Sequence, residues 1–214
     1  MKYGLLSLLL LALVPMFYLA SIAYVFSWDI LISTWIQNSH AVALLSSVKI
    51  LSIFGNYIGM TASFSTLILV ALWLKGLVRA VSIAFVSLGQ VLFIEILKFT
   101  IERPRPLPLG ETNFDSFPSG QAFYSLVFFA LVWFILNSHI SKLTFRVFLI
   151  FLCILSTFTI GILRIHSGEH WPSDVVGSWL TGALLLCLFV FPVSDLVHRL
   201  RVPFLINGHV FYLI

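Results

Sequence analysis

Six long apolar stretches constrain this chain more than any other feature of its sequence. They lie approximately at 3–26, 48–74, 77–97, 120–137, 144–164 and 175–197. Because an α-helix rises 1.5 Å per residue, about 20 apolar residues are needed to cross roughly 30 Å of hydrocarbon. The runs are continuously apolar, without the alternation of barrel strands, and a helix satisfies its own backbone hydrogen bonds in lipid. We therefore predict an all-α bundle of six transmembrane helices.

The composition leaves little room for a separate soluble domain. Of the 214 residues, 60% are hydrophobic and 9% are charged, and the mean hydropathy is +1.09. We therefore predict a single membrane-embedded domain over residues 1–214. The net charge of +4 is explained by orientation and by anionic lipid head groups, so membrane lipids are expected partners and nucleic acid is not.

The segments between the apolar stretches divide into two sides of different charge. One side carries basic residues, with Asp195 as the only nearby acid, and these are Lys2, Lys75, Arg79, Lys142, Arg146, Arg199 and Arg201. The positive-inside rule makes this side cytoplasmic. We predict a multi-pass protein of the inner (cytoplasmic) membrane, with the polar loops at 98–121 and 164–174 facing the periplasm or the outside.

The first polar loop begins with a lysine and continues to an arginine between two prolines. Lys98 lies at the end of an apolar run, and Arg105 stands between Pro104 and Pro106. Prolines restrict the backbone after a helix end. A cation at a membrane boundary is also typical of a snorkelling anchor, which explains Lys98 but not the clustering around Arg105.

Pro118, Ser119, Gly120 and Gln121 come directly before the fourth apolar run. Proline, serine and glycine there are typical of a helix start. A helix N-terminus presents unpaired N–H groups and a partial positive charge, which bind phosphate oxygens. An ordinary helix cap explains the tetrapeptide equally well when it is taken alone.

The second polar loop contains the residue types that phosphoryl transfer needs. Arg164 supplies a planar donor group suited to phosphate. His170 is a candidate nucleophile if its ring is held in the right tautomer, and Asp174, four residues later, is a candidate acceptor for the other ring N–H. The three together favour a catalytic interpretation over a structural one.

These motifs resemble those of the type 2 phosphatidic acid phosphatase superfamily. Its signature is Lys-x6-Arg-Pro, then Pro-Ser-Gly-His, then Ser-Arg-x5-His-x3-Asp, and this chain matches it between residues 98 and 174. The resemblance implies a six-helix membrane fold with its active site at the non-cytoplasmic ends, and hydrolysis of a lipid phosphate through a phosphohistidine without a metal or cofactor. It also implies residue roles: His170 as nucleophile, Asp174 to orient it, and a phosphate site formed by Lys98, Arg105, Ser119, Gly120, Gln121 and Arg164.

Two positions depart from this signature. Leu163 replaces the serine before the arginine, and Gln121 replaces the histidine expected as general acid. An amide donates a hydrogen bond but delivers no proton at neutral pH, and loss of general acid catalysis costs about 10² to 10⁴ in rate. His166 is our first candidate for a substitute donor and Glu169 the second.

The glutamine at position 121 is compatible with two other interpretations of function. A diphosphate substrate needs little protonation, because its phosphate leaving group has a second pKa of about 6. Alternatively, the protein is a weakly active or inactive lipid-phosphate binder. The substrate classes compatible with the sequence are phosphatidate, phosphatidylglycerol phosphate, undecaprenyl diphosphate and lipid A phosphates.

Overall fold

The computed structural model describes residues 2–22, 24–42, 57–106, 116–199, 203–206 and 209–212. The helices that organise these ranges are α1 (Lys2–Ser21), α2 (Ser27–Gln37), α3 (Tyr57–Lys75), α4 (Leu77–Thr100), α5 (Gly120–Leu136), α6 (Leu143–His166) and α7 (Pro172–Arg199). A 3₁₀ turn, Asn137–His139, continues from the end of α5.

Two glycines with positive φ mark the places where helices end. Gly76, with φ of 83°, separates α3 from α4, and Gly168, with φ of 71°, follows the end of α6. Such angles are readily adopted by glycine because it lacks a Cβ atom. Ser167 closes α6 by donating its N–H to the carbonyl of Leu163 at 3.0 Å. The chain can then turn directly into the loop that carries His170.

The long helices confirm a multi-pass membrane protein. The ranges that are long and apolar enough to cross a membrane are Ile58–Lys75, Leu77–Thr100, Gly120–His139 and Leu143–His166, and shorter apolar helices cover Leu6–Ser21 and Pro172–Leu188. The prediction of six spans therefore stays a prediction. Residues 48–56 of the second predicted span lie outside the described residues.

The first apolar stretch ends earlier than predicted. The helix α1 stops at Ser21 instead of residue 26, and α2 follows as a separate helix of 11 residues. At about 1.5 Å per residue, α2 is too short to span the membrane. Its Asp29 is fully buried, so α2 has a packing role next to the polar end of the bundle.

The bundle packs around α5, which contacts both α6 and α7, while α3 packs on α4 and α1 on α7. Its largest apolar core joins α3, α4, α5 and α7 and includes Phe64, Ile83, Ile94, Phe123, Val127, Leu131 and Leu185. Many large apolar side chains instead face outward, among them Leu69, Trp73, Phe85, Phe99, Phe145 and Phe148. Such an apolar exterior fits a protein whose solvent is hydrocarbon.

One short hairpin adds strands to this helical fold. Pro203–Ile206 pairs antiparallel with His209–Tyr212, with Ile206 opposite His209. In the sequence, Asn-Gly stands between the two segments, and this dipeptide favours two-residue hairpin turns. The hairpin lies beyond the last predicted span, so the all-α prediction holds for the bundle but not for this segment.

Candidate active site

The ends of four helices meet at one end of the bundle and carry the predicted site residues. Lys98 lies in the last turn of α4, and Arg164 and His166 lie in the last turn of α6. Ser119 caps α5, Gly120 and Gln121 are its first two residues, and Asp174 lies in the first turn of α7. Arg105, Glu169 and His170 lie in the connecting loops.

His170 is buried and its ring orientation is set by a backbone carbonyl. Its side chain is 2% exposed, and Nδ1 lies 2.7 Å from the carbonyl oxygen of Ser116. Because a carbonyl only accepts hydrogen bonds, we assign the ring proton to Nδ1. The lone pair then lies on Nε2, to which no described residue hydrogen-bonds. His170 has the tautomer that a nucleophilic imidazole requires.

Burial lowers the pKa of His170 well below its ordinary value, and the positive charges of Arg164, Arg105 and Lys98 lower it further. The hydrogen bond to Ser116 acts in the opposite direction. The histidine is therefore neutral at pH 7. The cations act on the imidazole because the two polar loops converge around it.

Asp174 does not accept the Nδ1 proton of His170, which goes to the Ser116 carbonyl, so the expected direct hydrogen bond is wrong. Its oxygens instead accept from the Ser116 hydroxyl at 2.5 Å, from the Trp171 N–H at 2.7 Å and from the guanidinium of Arg103. The physical reason is that Nδ1 of His170 is already bonded to the Ser116 carbonyl. Asp174 holds Ser116, and Ser116 holds the imidazole.

Arg103 and Asp29 form the part of the site that the sequence motifs did not reveal. Arg103 is 1% exposed, and its NH2 lies 3.1 Å from Oδ2 of Asp29, while NH1 contacts Asp174. Ser173 donates its N–H to Oδ1 of Asp29 at 2.8 Å and its hydroxyl to Oδ2 at 2.7 Å. The one sequence signal was Asp29 itself, an acid among apolar residues. Its partners are distant in sequence.

The two polar loops are also joined by a tryptophan. The indole Nε1–H of Trp171 donates to the carbonyl of Pro104 at 3.0 Å. Together with the hydrogen bond between His170 and Ser116, this contact holds the second polar loop against the first polar loop at two points, Pro104 and Ser116. The catalytic candidates are thus held by backbone carbonyls of Pro104 and Ser116.

The start of α5 has the properties of an anion site. Ser119 is fully buried, makes no side-chain cap, and its hydroxyl has no hydrogen-bond partner in the described part of the chain. The Nε of Arg164 is likewise buried and without a partner there. Buried polar groups are costly to leave unsatisfied, and helix N-termini favour anions. Both groups are therefore suited to phosphate oxygens.

Glu169 pairs with both arginines of the predicted phosphate site. Its Oε2 lies 3.6 Å from NH1 of Arg105 and contacts NH2 of Arg164. Each of these three side chains is partly exposed. The two guanidinium groups are thus close enough to share one anionic oxygen.

His166, the first candidate proton donor, lies in the same last turn of α6 as Arg164. It follows Arg164 by two residues on α6, which is about 200° around a helix at 3.6 residues per turn. Its role as proton donor stays a prediction. Within the described residues, no group of three or more His, Cys, Asp or Glu side chains is placed to hold a metal ion.

Known proteins resemble this chain in sequence and in fold. The sequence profile of the PAP2 superfamily matches residues 79–195, more than half of the chain. Phosphatidylglycerophosphatase B of Bacillus subtilis (strain 168) is 30% identical over 110 residues, which are 50% of this chain and 54% of that protein. The crystal structure of a transmembrane PAP2-type phosphatidylglycerolphosphate phosphatase from Bacillus subtilis superposes with a TM-score of 0.69 at 20% identity, covering 89% of this chain and 96% of that one. The predicted resemblance is confirmed: this chain belongs to the PAP2 superfamily.

Proposed function

We propose that this protein hydrolyses a lipid phosphate or diphosphate through a phosphohistidine formed on His170. The observation that carries the proposal is the environment of that imidazole. It is buried, its Nδ1 proton is directed to the Ser116 carbonyl, and its pKa is lowered by burial and by three cations. A neutral imidazole beside a cationic pocket is suited to attack a phosphate.

In the first step, Nε2 of His170 attacks phosphorus and the bond to the leaving oxygen breaks. The three equatorial oxygens gain negative charge, which Arg105, Arg164 and the N-terminus of α5 stabilise. The Nδ1 proton stays on the ring, where the Ser116 carbonyl offsets the positive charge of the phosphorylated imidazole. In the second step, water attacks phosphorus, inorganic phosphate leaves, and Nε2 regains its lone pair.

The leaving group distinguishes the possible substrates. A lipid alkoxide needs a proton as it departs, and Gln121 supplies none at neutral pH. Glu169 is a poor donor because its carboxylate is already engaged as the counter-ion of Arg105 and Arg164. A phosphate leaving group needs little protonation. We therefore propose that lipid diphosphates are hydrolysed faster than lipid monophosphates, with His166 as the first candidate donor for the monophosphates.

The relatives support the class of substrate. The names of both Bacillus subtilis relatives describe action on phosphatidylglycerophosphate, a lipid that ends in a phosphate monoester. We propose the same chemical class here, a terminal phosphate on a lipid, with undecaprenyl diphosphate and phosphatidate as further candidates. We also propose that the site faces the periplasm or the outside of an inner membrane, because the opposite loops carry the excess of basic residues.

Purified protein assayed on a panel of lipid phosphates and diphosphates, with and without a metal chelator, tests this function. We expect phosphate release that chelation does not change. His170→Ala should reduce it at least about 10³-fold. His139→Ala, which removes a histidine near the opposite end of α5, is the matched control and should keep full activity.

The same panel tests the alternative of a lipid-phosphate binder. Binding of a lipid phosphate without phosphate release from any substrate would favour the binder, as the replacement by Gln121 suggests. Equal release by wild type and His170→Ala would contradict the phosphohistidine route. Activity lost on chelation would contradict its metal independence.

A further inference from the structure

Glu169 lies where a phosphate oxygen is expected to bind. Its Oε2 is shared between NH1 of Arg105, at 3.6 Å, and NH2 of Arg164. Arginine binds carboxylate and phosphate through the same N–H groups and with similar geometry. A phosphate that engages both guanidinium groups therefore has to compete with this carboxylate.

Displacement of Glu169 is physically feasible. Its side chain is 27% exposed, so a carboxylate released from the arginines can be solvated by water. It also follows Gly168, the residue with φ of 71°, and lies in a loop, not in a helix. The free-energy cost of displacing the carboxylate is therefore moderate. The stronger attraction between the arginines and an anion of higher charge can offset that cost.

Charge decides which anions can displace a tethered carboxylate. A phosphodiester, such as the head-group linkage of an ordinary phospholipid, carries one negative charge. When a phosphodiester replaces the Glu169 carboxylate, the arginines still face one negative charge, so the electrostatic attraction does not increase. The carboxylate also has a high effective concentration because it is attached to the chain. A terminal phosphate carries about 1.5 to 2 negative charges at pH 7 and gains more from two arginines.

We propose that Glu169 is a displaceable internal counter-ion of the phosphate site, which excludes singly charged phosphodiester head groups and admits terminal phosphates. This inference rests on the proposed function for the identity of the site. It gives Glu169 a role in specificity instead of proton donation. Selection by phosphate charge is useful in a bilayer, because singly charged phosphodiester head groups surround the site at high concentration.

Binding of inorganic phosphate to the purified protein tests the proposal without turnover. Isothermal titration calorimetry should give at least about tenfold tighter binding for Glu169→Gln than for wild type, because the competing charge is gone. Glu102→Gln makes the same charge change at an exposed acid in the neighbouring loop and should leave phosphate affinity unchanged. Glu169→Asp, one methylene shorter, should fall between wild type and Glu169→Gln.

A second measurement addresses the phosphodiesters. Phosphatidylglycerol added to the assay micelles should inhibit Glu169→Gln but not wild type or Glu102→Gln. Unchanged or weaker phosphate binding in Glu169→Gln would overturn the proposal, since the carboxylate would then be positioning the arginines for substrate. Tighter phosphate binding in a protein that hydrolyses no lipid phosphate would support this inference while contradicting the proposed function.

Discussion

The carbonyl oxygen of Ser116 lies 2.7 Å from Nδ1 of His170, although 54 residues separate them in the sequence. A backbone carbonyl keeps its acceptor character at every pH, so it fixes the tautomer of the imidazole without titrating itself. Asp174 contributes one step further away, through the Ser116 hydroxyl at 2.5 Å. The side chain that orients the nucleophile therefore acts through another residue.

The pH dependence of catalysis should report the cations around His170. Burial and then the charges of these cations lower its pKa, so the nucleophile should stay neutral, and active, below the ordinary histidine pKa of about 6.5. Lys98→Met removes one lowering charge, so the pKa of His170 should rise. We expect the acidic limb of kcat/KM to move to higher pH in Lys98→Met than in wild type.

The test compares the acidic limbs of wild type and Lys98→Met, because the substrate phosphate also titrates in this pH range. The same substrate contributes equally to both profiles. An acidic limb at the same pH in wild type and Lys98→Met, or one at lower pH in the variant, would contradict the placement of Lys98 near the imidazole.

The buried Arg103 network should contribute strongly to stability. Asp29→Asn removes one of two carboxylates that pair with Arg103, while Asp174 still contacts it. Loss of one partner of a buried ion pair typically costs 3 to 5 kcal/mol, and the remaining carboxylate should reduce this to about 2 to 3 kcal/mol. Thermal unfolding in detergent should show a clearly lower midpoint than for wild type or for Glu102→Gln, which changes an exposed acid. Equal midpoints would mean that the network does not stabilise this end of the bundle.

Restoring a histidine at position 121 should change the substrate preference. Gln121→His supplies the general acid that the family signature places there, and such a group is worth about 10² to 10⁴ in rate. We expect monophosphate hydrolysis to rise by about tenfold or more, and diphosphate hydrolysis to change little, because its leaving group needs less help. Steady-state kcat on one lipid of each class measures this ratio. An equal gain on both substrates would argue against the proposed importance of the leaving group.

The close approach of α6 and α7 should depend on Gly161. A Cβ added there would lie 2.5 Å from Trp179 and 2.8 Å from Val175, and overpacking of this kind typically costs about 1 to 3 kcal/mol. Gly161→Ala should therefore lower the thermal midpoint. Gly89→Ala, in α4 with no atom within 4 Å of the new methyl group, should be neutral or stabilising, since alanine favours helix by about 1 kcal/mol. The reverse order of midpoints would contradict the described packing.

Much of the bundle follows from local sequence properties. The apolar runs at 77–97, 120–137 and 144–164 became helices because hydrophobic length and helical hydrogen bonding are both local. The start of α5 was similarly marked by Ser119 and Gly120. These features depend on residues close together in the chain, so a single sequence contains them.

The hydrogen bonds and ion pairs within the site join residues that are far apart in the sequence. Asp29 accepts a hydrogen bond from Ser173, which lies 144 positions away in the sequence. The acceptor for His170 is a backbone carbonyl, a group that every residue possesses. The prediction that Asp174 accepts the ring N–H of His170 was wrong for this reason. The pairing of Glu169 with Arg105 and Arg164 was equally hidden, because it needs the geometry of two loops at once.

The most direct test of the central claim is to trap the covalent intermediate. Purified protein mixed with a lipid phosphate or diphosphate and quenched within milliseconds should contain an acid-labile phosphate, and peptide mass spectrometry should locate it on His170. His170→Ala should show neither the modification nor turnover. Phosphate release by wild type without any phosphohistidine, or the same phosphate on another residue, would contradict the role assigned to His170.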